Sequence, residues 1–113
     1  METKANMQTQ RCTEISIQLR IDSERLIVQQ RELHTNERAI RSQNNQLQNL
    51  DRQVRETGDP EGLAKQIQAV ERRRSQLEAE KGRLLTEISR LNNNLRKLNA
   101  EFSSLRCGRD RRA

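Results

Sequence analysis

An apolar residue recurs every seven positions without a break from Cys12 to Val54: Cys12, Leu19, Leu26, Leu33, Ile40, Leu47 and Val54. Seven residues are close to two turns of α-helix, so such a row forms one narrow stripe that drives a coiled-coil seam. A strand repeats every two residues and cannot keep this row on one face. Taking the row as heptad a positions puts Ile15, Asp22, Gln29, Asn36, Gln43 and Leu50 at d. That second row is apolar only at its ends, leaving a polar middle.

The C-terminal half has the mirror arrangement. Its d row is unbroken: Leu63, Val70, Leu77, Leu84, Leu91, Leu98 and Leu105. Its a row is Ile67, Arg74, Lys81, Ile88, Leu95 and Phe102, with the two basic residues together. Between the halves lies Thr57-Gly58-Asp59-Pro60-Glu61. Gly58 suits the left-handed residue after a helix end. Asp59 suits an N-cap, and Pro60 the first helical position, which needs no N–H. The stretch stops one helix and starts another, as in the loop of an αα-hairpin.

Folding the halves antiparallel about Gly58–Asp59 pairs Val54 with Leu63, Ile40 with Leu77, Leu26 with Leu91 and Cys12 with Leu105. Leu50 then faces Ile67, and Ile15 faces Phe102. The polar positions also meet, Gln43 with Arg74 and Asn36 with Lys81, leaving only Gln29–Ile88 and Asp22–Leu95 mismatched. A slip by one heptad would set Arg74 and Lys81 against apolar residues at an unpaired-charge cost, so the polar layers fix the register.

The expected fold is therefore all-α: a long antiparallel two-helix coiled-coil hairpin, able to pair into a four-helix assembly. Its parts are a polar N-terminal extension (1–11), a first helix (12–57), a turn (58–59), a second helix (60–107) and a basic tail (108–113). Thr3 and Thr9 are candidate N-caps, and Gly108 is the expected end of the second helix. Composition agrees. Only 31% of the 113 residues are hydrophobic and Phe102 is the sole aromatic, too little for an ordinary globular core.

The formal charge of +6 favours acidic partners, or simply a solvated helical surface rich in arginine. No apolar run approaches a signal segment or a membrane span, and the expectation is a cytoplasmic protein without membrane insertion. His34 falls at b, off the seam, and no ligand cluster of metal spacing surrounds it. No glycine-rich, zinc-finger or phosphate-cradling motif is present, and a two-helix arm offers no concave pocket. The chain is expected to be no enzyme and to use no cofactor, metal or small-molecule substrate. Cys12 faces Leu105 in this register, while Cys107 at f would point away from the seam, so two free thiols are expected rather than a disulfide. Gly82 at b reads as a tolerated helix defect or, less favoured, as a close helix–helix contact.

The leading expectation is a protein-interaction module, scaffold or adaptor. Ile17, Ile21 and Val28 share the outer face of the first helix, opposite Leu19 and Leu26, and are unexplained by the hairpin. They form the candidate partner-binding stripe, for another protein or a second copy of the hairpin. The rival expectation is nucleic-acid binding through Arg72, Arg73, Arg109, Arg111 and Arg112, although Glu71, Glu78 and Glu80 interleave with the first two. A stalk-like component of a larger export or chaperone machine is compatible with the same shape, which by itself carries no identity.

Overall fold

A computed structural model describes residues 4–108, with side chains from residue 6. Thr3, Arg109, Arg111 and Arg112 lie outside the described residues. The chain is an all-α helical hairpin: α1, Lys4–Thr57, and α2, Pro60–Ser104, pack against each other.

The turn forms as its residues dictate. Gly58 is left-handed at φ 68°, and its N–H donates to Val54 O at 2.9 Å, closing α1. An L side chain there would clash with its own backbone, which glycine avoids. Thr57 Oγ1 donates to Gln53 O at 2.7 Å and accepts from Asp59 N–H at 3.3 Å. Asp59 Oδ1 then accepts from Gly62 N–H at 3.1 Å, the bond of an N-cap to the third helical residue. A Cβ on Gly62 would stand 2.6 Å from Asp59 Oδ2, so this glycine makes room for the capping carboxylate.

Two compact units make up the chain. The turn unit, residues 30–86, has a core of Ile40, Leu50, Leu77 and Leu84. The terminal unit, described over 4–29 and 87–108, has Ile15 and Leu91 fully buried and Cys107 nearly so. Every a and d residue named above is buried or half-buried, as the heptad reading requires. Each fully buried Leu or Ile contributes about 1.5–3 kcal/mol relative to its exposed state.

The polar layer of the turn unit differs in detail from the expected pairs. Asn36 is buried, but its Nδ2 donates to Leu77 O at 2.9 Å rather than meeting the Lys81 side chain. Its Oδ1 is buried without a hydrogen-bond partner. Arg74 reaches Asn44 Oδ1 at 3.4 Å instead of Gln43. Both guanidinium and amide are long enough to leave the strict a–d layer for a neighbouring acceptor, and the register is unchanged. In the terminal unit the mismatched Asp22 is buried too, and Gln18 Nε2 donates to its Oδ1 at 2.9 Å. A Cβ on Gly82 would meet nothing within 4 Å, so Gly82 makes no close helix contact.

Both helix limits shift from expectation. α1 is already helical at Lys4, so Thr9 is interior, its carbonyl accepting from Thr13 Oγ1 at 3.0 Å. The d row in fact extends one heptad back to half-buried Gln8. At the other end it is Arg106, not Gly108, that terminates the helix. Arg106 is left-handed at φ 56°, its N–H donates to Ser103 O at 3.1 Å, and Cys107 N–H donates to Phe102 O at 3.1 Å. These two bonds form a Schellman motif with arginine where glycine is usual.

Candidate functional site: an apolar stripe and a disulfide-closed end

Three residues of the terminal unit meet the expectation of an outer apolar stripe. Ile17 is 55% exposed, Ile21 38% and Val28 49%. At about 100° per residue they fall within about 40° of one another around the helix axis. Their heptad mates Leu19 and Leu26 are half-buried on the opposite side. Glu24, seven residues after Ile17 and four before Val28, lies on the stripe itself between Ile21 and Val28, paired with Arg20 at 3.6 Å and exposed. Such a pair contributes little to stability, and it sets one charged residue within the apolar row. Met7, Ile27 and Leu85 are further exposed large apolar residues that the heptad reading did not single out. Ile27 is one residue from Val28 and so about 100° round the helix, off the stripe.

Of the nucleic-acid candidates, Arg72 and Arg73 lie among the described residues, and both are exposed in the turn unit. Arg73 borders a shallow groove with Arg31, Glu32, Asn36, Leu77 and Glu80, where two carboxylates offset two guanidinium groups. His34 is exposed. Among the described residues, no three His, Cys, Asp or Glu side chains come together to hold a metal ion, and no helix is long and apolar enough to cross a membrane.

The most elaborate chemistry lies where α2 ends, and it overturns the expectation of free thiols. Cys12 and Cys107 form a disulfide, with S–S 2.08 Å and Cα–Cα 5.4 Å. In a continuous helix Cys107 would point away. The left-handed turn at Arg106 folds the chain back and brings it within bridging distance. The signal in the sequence was slight: two cysteines at the outer ends of the ladders, one just before a glycine.

The same end carries cross-helix polar bonds. Gln8 Nε2 donates to Leu105 O. Arg11 donates twice to Glu101, Nε to Oε1 at 2.6 Å and Nη2 to Oε2 at 2.7 Å, and once to Glu14 Oε2 at 3.2 Å. The hydrogen bonds to Glu101, and secondarily to Glu14, hold Arg11 above the ordinary guanidinium range. The same bond from Arg11 lowers the Glu101 carboxyl below its usual value. Glu87 is likewise lowered by its hydrogen bonds from Arg90, at 2.5 and 3.0 Å. Arg11 and Glu101 occupy facing g positions, a signal present in the heptads but visible only after register is set. Beside the disulfide lies a pocket lined by Thr9, Thr13, Ser16 and Phe102.

Compared with known protein families, curated proteins and solved structures, the chain matches none.

Proposed function

We propose that this chain is a non-enzymatic helical-hairpin module that serves as a protein-binding scaffold or adaptor. The observation that carries the reading is the stripe Ile17, Ile21 and Val28: three β-branched side chains, aligned on one face and 38–55% exposed. Exposed apolar residues are common singly, whereas three aligned on one face, with the Arg20-paired Glu24 between them, suit a helical partner read at spacings of four and seven. The partner is another helical protein or a second hairpin, the latter giving a four-helix assembly. The nucleic-acid reading has weaker support, because Glu32 and Glu80 stand in the groove beside Arg73. A stalk role in a larger machine rests on the hairpin fold alone. The cytoplasmic placement expected from the sequence stays part of the proposal, and the disulfide pulls against it, since thiols there are kept reduced.

Replacing Ile17, Ile21 and Val28 together by Gln tests the stripe. Sedimentation should give a smaller assembly for the variant than for the natural chain, with helicity by circular dichroism nearly unchanged. Equal masses for both, together with equal capture of a co-purifying protein, refute the proposal.

A further inference from the structure

We infer that the Cys12–Cys107 bond is a reducible clasp, opened by a dithiol and closed by oxidation, that sets whether the turn following α2 is ordered. The inference is independent of the partner-binding stripe.

Three features carry it. First, the bond depends on a backbone conformation that the chain does not favour. Arg106 is left-handed at φ 56°, in a place that glycine normally takes, and only this turn brings Cys107 back to Cys12. Once the bond is cut, only hydrogen bonds hold this unfavourable residue conformation: Arg106 N–H to Ser103 O, Cys107 N–H to Phe102 O, and Gln8 Nε2 to the preceding Leu105 O. Second, the two sulfurs differ in access. Cys107 is buried and Cys12 half-exposed, and the pocket lined by Thr9, Thr13 and Ser16 borders both, so a donor reaches the bond with Cys12 as its more exposed side. Third, Arg106 directly precedes Cys107, the sulfur that departs first, whereas Arg11 beside Cys12 is held by Glu101 and Glu14, and a neighbouring cation stabilises a departing thiolate.

The reaction is thiol–disulfide exchange with a dithiol of the Cys-x-x-Cys type or its small-molecule counterpart, dithiothreitol. A donor thiolate attacks Cys12 Sγ, the S–S bond breaks, and Cys107 leaves as a thiolate that takes a proton from water. The donor's second thiolate then attacks its own mixed-disulfide sulfur and releases Cys12, which is protonated in turn. The donor gains a disulfide, and the hairpin gains two thiols and two electrons.

The full chain, labelled with nitrogen-15, is compared after air oxidation and after millimolar dithiothreitol without denaturant, beside a C12S/C107S variant. The expected oxidised state has backbone order parameters near 0.85 at Arg106 and Cys107, falling below about 0.6 on reduction and in the serine variant. Asn36 and Leu77 in the turn unit should keep theirs in all three samples. Several results would overturn the clasp: two alkylatable thiols after oxidation, a bond that resists dithiothreitol in the folded chain, or equal order at Arg106 and Cys107 in all samples. Loss of order throughout the chain on reduction would overturn it as well, since the hairpin would then not stay folded with the clasp open.

Discussion

The terminal unit and the turn unit carry the same heptad rows but are held together by different means. In the terminal unit, Ile15 and Leu91 are fully buried, a disulfide joins the helices, and Arg11 grips Glu101 across them. In the turn unit no covalent link exists among the described residues. Two helix caps close its loop, and its seam includes Asn36, whose amide oxygen is buried with no partner. The contrast follows from what each unit has to solve. Next to a short loop, connectivity already keeps the helices together, so the seam can carry polar groups that specify register at some cost in stability. Far from the loop, that help is absent, and long-range bonds keep the helices together instead.

The largest effect expected from breaking this contrast is loss of the disulfide. It closes a loop of sequence separation 95, for which chain-entropy arguments give about 4–5 kcal/mol. C12S/C107S should lower the stability by about 2–5 kcal/mol in urea titration. An unchanged midpoint would place the strength of the terminal unit in its apolar seam instead.

A smaller change of opposite sign is expected in the turn unit. Asn36→Leu removes one hydrogen bond to Leu77 O together with the buried unpaired oxygen, and should stabilise the chain by about 1 kcal/mol. It should also loosen register, seen as doubled resonances or mixed cross-links between α1 and α2. Destabilisation with a single register would mean that the amide fits its layer better than its orphaned oxygen suggests.

The smallest effect concerns pH. The folded-state pKa of Glu101 is depressed by Arg11, so this pair's stabilisation is present above the unfolded value of 4.5 and is lost as pH falls through the folded value. The pair is exposed, so the slope is slight. Glu101→Gln should flatten the melting temperature between pH 5 and the acid limit of folding, relative to the natural chain. An identical slope in the variant would assign the acid sensitivity to Glu87 and its neighbours.

Much of the hairpin was legible because its determinants are local or periodic. The a and d rows need only a count of seven, and Gly58, Asp59 and Pro60 each act within one turn of themselves. The stripe Ile17, Ile21 and Val28 was legible for the same reason, since helical spacing alone puts the three residues together. Gly62 was missed: its role appears only once the Asp59 carboxylate is placed above it. The disulfide was the less favoured reading because a helix continued through Cys107 points that side chain away, and one left-handed residue reverses its direction.

By itself, then, the sequence determined the helices, the site of the turn and the pairing of the seam, since all three follow from short-range sterics and a repeat that burial enforces. The tertiary structure decided which polar atoms in the seam are satisfied, that Arg11 meets Glu101, and that Cys12 reaches Cys107. Those outcomes depend on ångström distances between residues up to 97 positions apart, where a single backbone torsion at Arg106 outweighs any pattern in the chain.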